Sequence, residues 1–139
     1  MHKREVSDNF IDIKDERDSV VFTLKEELTD GNLIIGIAGS LQTDAVYEFE
    51  DEVLAALSVC DKAANNQAAF RNLTFDLSRI SYISSAALRS FLKIQSVVDK
   101  YDGMHMSVVN PSASVMSRLE ETGYVDILDI EVFDNRPEE

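Results

Sequence analysis

Between Val20 and Phe133 the spacing of apolar residues switches repeatedly between two and about 3.6, and that switching leaves few folds open. Val20, Phe22 and Leu24 alternate with Val21, Thr23 and Lys25, and after Thr29-Asp30-Gly31-Asn32 comes the run Leu33-Ile34-Ile35-Gly36-Ile37-Ala38. Asp-Gly between two such runs predicts a tight hairpin. In the second strand both faces are apolar, so it is predicted to be central. Gly39-Ser40-Leu41-Gln42-Thr43 breaks the alternation, and Val46, Phe49, Val53, Leu54 and Leu57 follow at helical spacing. Asp44, Glu48, Glu50, Asp51 and Glu52 fall largely on the outer side of that helix, which is expected to reach about Ala64. Leu73, Phe75 and Leu77 mark the next strand. Leu88, Phe91, Leu92 and Gln95 mark a second helix that Asp102-Gly103 would end, and Met104–Val109 a further strand. Asn110-Pro111-Ser112 opens a third helix through Val115, Met116 and Leu119, stopped by Gly123, and Ile127–Phe133 reads as the last strand.

The resulting order, β-β-α-β-α-β-α-β, demands an antiparallel hairpin followed by parallel, right-handed βα crossovers. The expected class is therefore α/β: a mixed sheet with its helices mainly on one face, because Thr23 and Lys25 are offered to solvent on the other. Leu33, Ile35, Ile37, Phe75, Leu88, Leu92, Val108 and Leu119 are the expected core. A chain of 139 residues suits one domain, placed at 19–133. Residues 1–18 form a charged extension in which Val6, Phe10 and Ile13, at i, i+4 and i+7, fit a short helix; a solvated tail is the alternative. Residues 134–139 are an acidic tail.

Charge narrows the function. Lys plus Arg number 13 against 26 Asp plus Glu, and a net charge of -13 repels nucleic acid and anionic membrane surfaces, so neither is an expected partner. The start Met1-His2-Lys3-Arg4-Glu5 lacks the apolar stretch of a signal peptide, no run is long enough to span a bilayer, and a lone cysteine permits no internal disulfide; the expected location is cytoplasmic. Cys60 reads as a small core residue. His2 and His105 have no further ligand residues at suitable spacing, so neither a metal nor a cofactor is expected. Asp126, Asp129, Glu131 and Asp134 alternate as a solvated strand face would.

Chemistry concentrates in Asp76-Leu77-Ser78-Arg79-Ile80-Ser81-Tyr82-Ile83-Ser84-Ser85-Ala86-Ala87-Leu88, which runs from a strand end into a helix start. In parallel α/β sheets that edge is where ligands and partners bind. A serine there can simply cap the helix. It can also be phosphorylated, since the free amides and helix dipole tolerate added negative charge. Ile83-Ser84-Ser85-Ala86-Ala87 is not a Gly-x-Ser-x-Gly nucleophile elbow, which leaves serine hydrolysis a remote third reading.

This stretch, with Arg89 and the order of elements, resembles the signature of the STAS domain (sulfate transporter and anti-sigma factor antagonist), near the anti-anti-sigma factors of bacterial partner switching. Gly39-Ser40-Leu41-Gln42-Thr43 and Leu119-Glu120-Glu121-Thr122-Gly123-Tyr124 resemble two further family segments, and the likeness spans about residues 20–133. The resemblance implies a non-catalytic switch that binds an anti-sigma factor doubling as a serine kinase, is released by phosphorylation and is reset by a phosphoserine phosphatase. It places the phosphorylated serine at Ser85, with Ser84 as the alternative, and partner contacts at Ser40, Gln42, Thr43, Tyr82, Ser84, Ser85, Ala86 and Arg89. The helix amides and Arg89, four residues along, are the expected holders of the phosphate. Ser84, Ser40 and Gln42 stand where the family has acidic residues, and Ala87 where it has glycine, adding a methyl group at an expected contact. The alternative on the same fold is a STAS scaffold without phosphorylation, or a module sensing a nucleotide or other small ligand.

Overall fold

The computed structural model describes residues 2–58 and 71–133. The predicted hairpin is β3 (Val20–Thr29) and β4 (Asn32–Leu41), joined through Asp30 and Gly31, both at positive φ (48° and 81°) as a type I′ turn requires. Parallel strands β5 (Asn72–Ile83), β6 (His105–Val109) and β7 (Ile130–Glu131) follow in order, connected by α1 (Val46–Ser58), α2 (Ser85–Val98) and α3 (Ala113–Thr122). Each crossover moves one strand further in the same direction, and right-handed connection then puts all three helices on one face.

The core lies on that face. Phe22 and Leu24 of β3, Leu33, Ile35 and Ile37 of β4, and Leu73, Phe75 and Leu77 of β5 are buried with Phe49 and Val53 of α1, Leu88, Phe91 and Ile94 of α2, and Val115 and Leu119 of α3. Phe49 is the hub: its ring centroid lies 5.3 Å from that of Phe91, 6.2 Å from Phe75 and 6.4 Å from Phe22, tying α1 to α2 and to the sheet. The expected core residues are buried except Leu92, which is half-buried; Ile94 takes the inward position instead.

Several boundaries differ from expectation. The N-terminal segment is not a helix but a second hairpin, β1 (Lys3–Ser7) and β2 (Phe10–Lys14), extending the sheet to seven strands. Val6, Phe10 and Ile13 fit only the helical period, whereas Ile11 and Ile13 alternate as a strand face does, and the free edge of β3 takes up that second pattern: Ile11 pairs with Leu24 and Ile13 with Phe22, and both isoleucines enter the core while Val6 and Phe10 stay exposed. β4 runs through Gly39-Ser40 to Leu41 instead of breaking there. α2 ends at Val98, capped by Asp99 and four residues short of Asp102, because Lys100 and Tyr101 turn back on Val97 and Val98. The last strand shrinks to Ile130–Glu131. Asp126 sits in a 3-10 turn and Asp129 bonds His105, so these acids do not line one strand face. The expected end of the first helix near Ala64, Cys60 and the tail at 134–139 lie outside the described residues.

Candidate functional site

The carboxyl ends of β4 and β5 lie side by side, with Ser40 opposite Tyr82 and Leu41 opposite Ile83. Two hydrogen bonds lock them: the Ser84 amide donates to the Leu41 carbonyl at 3.0 Å, and the Ser81 hydroxyl to the Gly39 carbonyl at 3.1 Å. Beyond β4, Gln42 and Thr43 form an exposed turn, and a 3-10 turn over Thr43–Ala45 leads into α1 and rests against α2. The turn and the Ser84-Ser85 corner therefore share one edge of the molecule. Tyr82 is exposed there, and Tyr47, in the first turn of α1, is an exposed ring that periodicity assigned no role.

The two serines have different work. Ser84 is 2% exposed, and its Oγ accepts the Ala87 amide at 3.1 Å as the cap of α2. Ser85 begins the helix, is exposed, and has its Oγ 3.0 Å from Nη2 of Arg118, which donates to it. No acidic residue stands in the first turn of α2. Ala86 is half-buried and Arg89, one turn on, is exposed, but the guanidinium that meets Ser85 is that of Arg118 from α3. Ala87 is fully buried, so its methyl packs into the core and is not offered to a partner.

Arg118 reaches Ser85 because α3 is fastened to β5. Ser112 caps α3 by accepting the Val115 amide, and its own hydroxyl donates to the Ile80 carbonyl at 3.0 Å. Val115 and Leu119 bury the inner stripe of α3, and Arg118, three residues past Val115, stands at its margin. That position was a usable signal: Arg118 is the one basic residue of the helix and sits beside a core stripe, where a long cation reaches for a partner.

Behind this edge α1 and α2 are joined by a buried carboxylate. Glu50 accepts hydrogen bonds from Ser90 and, at 2.9 Å, from Lys93. Burial alone would push the Glu50 carboxyl up, but those bonds and the Lys93 charge prevail and hold it below its ordinary value. Two further acids of α1 meet the N-terminal segment: Glu52 pairs with Arg4, and Glu48 Oε1 lies 2.7 Å from His2. These carboxylates are thus engaged within the chain.

On the opposite face of the sheet a concavity of about 440 Å³ opens between Phe10, Thr23, Lys25, Gly36, Asp76 and Arg79. It lies away from Ser85. Among the described residues no group of three or more His, Cys, Asp or Glu side chains is placed to hold a metal, and no helix is long and apolar enough to cross a membrane.

The sequence matches the family model for the STAS domain over residues 23–138. The chain belongs to the STAS family. Its mixed sheet matches that of solved STAS-fold proteins at low identity. An anti-sigma factor antagonist from Mycobacterium paratuberculosis is 16% identical, with a TM-score of 0.66 over 79% of this chain and 85% of that one. SpoIIAA, an anti-sigma factor antagonist, in its unphosphorylated form is 17% identical, with a TM-score of 0.62 over 80% and 89%. The Bacillus cell fate determinant SpoIIAA in its phosphorylated form is 15% identical, with a TM-score of 0.57 over 80% and 92%. No curated protein matches the sequence. The β1–β2 hairpin of this STAS domain lies before the matched segment, although it belongs to the same sheet.

Proposed function

We propose that this STAS domain is an anti-sigma factor antagonist that binds an anti-sigma factor with serine kinase activity through the Ser40–Thr43 turn, Tyr82 and the start of α2, and is released when Ser85 is phosphorylated. The observation that carries the reading is the division of labour between the serines: Ser84 is buried as a cap, while Ser85 presents its hydroxyl at the exposed first turn of α2. The structural likeness to proteins described as anti-sigma factor antagonists, one of them solved in both forms, supports the assignment. The role is that of a cytoplasmic, non-catalytic regulator, reset by a phosphoserine phosphatase. Arg89, on the same helix, supplies a further contact to the partner.

Phosphorylation adds nearly two negative charges at the centre of such a contact, and losing about 3 kcal/mol there weakens binding more than a hundredfold. The test is titration of the anti-sigma factor with folded variants. Ser85→Asp should lose the partner by about that factor, Ser85→Ala should bind and gain no phosphate in intact-mass measurement, and the same changes at Ser84 should do less. Equal binding of wild type and Ser85→Asp would falsify the switch. It would favour instead a small-ligand module, for which the concavity beside Lys25 and Arg79 is the specific observation.

A further inference from the structure

Arg118 has a donor to spare at Ser85. Its Nη2 is spent on the serine hydroxyl, while its Nε is buried and has no hydrogen-bond partner among the described residues. Nε–H and Nη2–H form one edge of the planar guanidinium, the edge that grips a phosphate through two parallel bonds. The serine oxygen meets only one of these two donors, whereas a phosphoryl group on that oxygen brings further acceptors for both. A buried unsatisfied N–H carries a standing desolvation cost that such a group would remove.

The surroundings add to this. Helix geometry leaves the Ser85 and Ala86 amides without intrahelical acceptors, whereas the Ala87 amide is already taken by Ser84. The first turn of α2 carries no acid to repel an anion. Ser112 holds α3 against β5 and the Ser85 hydroxyl already holds the Arg118 side chain, so the arginine is in place when the anion arrives. Among the described residues Arg89, exposed on α2, makes no side-chain hydrogen bond or ion pair to another element.

We propose that Arg118 is a phosphate clamp: after modification of Ser85 it takes the phosphoryl oxygens through Nε and Nη2 and ties α2 to α3 in the released state. The inference rests on Ser85 as the modified residue and deepens that reading. In the transfer, the Ser85 Oγ–P bond forms as the bond from the γ-phosphorus to the bridging oxygen of a nucleoside triphosphate breaks. The nucleoside diphosphate departs and the hydroxyl proton passes to solvent. Arg118 acts on the product, as a positioning residue.

The test uses the full chain with phosphoserine genetically encoded at position 85, compared with the unmodified chain, in wild type, Arg118→Gln and Arg118→Lys. The gap in Tm between modified and unmodified protein should be at least about 3 °C less favourable in Arg118→Gln than in wild type, with Arg118→Lys between them because it keeps charge but loses the fork. In wild type, the Arg118 Nε–H proton resonance should move downfield on modification. An identical Tm gap in wild type and Arg118→Gln, or an unmoved Nε–H resonance, overturns the clamp. Should Arg118→Gln fail to fold, Arg118→Lys and the wild-type resonance decide. Encoding the phosphoserine removes the kinase from the test. A kinase that ignores Ser85 therefore leaves the clamp standing, and a phosphate that ignores Arg118 leaves partner release untouched.

Discussion

Ser84 and Ser85 share a peptide bond and a composition, yet the backbone sends the first hydroxyl inward to a helix amide and leaves the second on the exposed surface, against Arg118. Capping preference does not separate them, since either serine could cap the helix. The separation comes from the Ser84 amide bonding Leu41, which fixes where the strand stops. Gly39 is a second residue whose meaning is tertiary. Read along the chain it looks like a break, but β4 continues through it at φ 109°, and a Cβ there would lie 2.6 Å from the Val21 carbonyl oxygen. Backbone atoms cannot swing aside as a side chain can. Gly39→Ala should therefore cost more than about 2 kcal/mol, measured by urea denaturation, and loosen the Ser40–Thr43 turn that follows.

At the scale of elements, α1 and α2 are joined in two ways that amphipathic spacing treats unequally. Phe49 against Phe91 was legible, because both fall on apolar stripes. Glu50 was not: its place in the acidic run put it on the outer side, and only the crossing of the two helices turns it toward Ser90 and Lys93. Its carboxyl is held below its ordinary value, so the carboxylate contributes stability above the unfolded pKa of about 4.3, lost as the pH falls through the folded value. Glu50→Gln should lower stability by about 1–3 kcal/mol at pH 7, with the difference closing in acid. Tm measured against pH for both proteins checks this. Glu26 shifts the other way, raised chiefly by burial and by Glu52 against the opposing Arg4, so the difference between the two curves isolates Glu50.

For the whole molecule the N-terminal hairpin is the feature that changes most between sequence and structure. It closes the edge of β3, brings Ile11 and Ile13 into the core, and sets Arg4 against Glu52 and His2 against Glu48. A chain of net charge -13 gains from pairing Arg4 with Glu52 of α1, and an uncovered β3 edge would be open to pairing with another chain. Removing residues 1–15 should thus cost at least about 3 kcal/mol and raise the tendency to associate, read by thermal unfolding and by light scattering. Unchanged stability and a monomeric scattering mass would mean that the hairpin rests on the domain without supporting it.

The alternation from Val20, the Asp30-Gly31 turn, the three amphipathic stretches and Gly123 were enough to determine the hairpin, the parallel βα units, the one-sided placement of the helices and the serine-bearing corner. These features rest on short-range geometry: the period of a strand or helix, the φ a turn needs, and the handedness of a crossover. The β structure of residues 3–14, the inward turn of Glu50 and the meeting of Arg118 with Ser85 were decided only in the folded molecule. In each, a residue's partner comes from a distant part of the chain, 33 residues away for Arg118, and its local pattern fits more than one environment until packing supplies that partner.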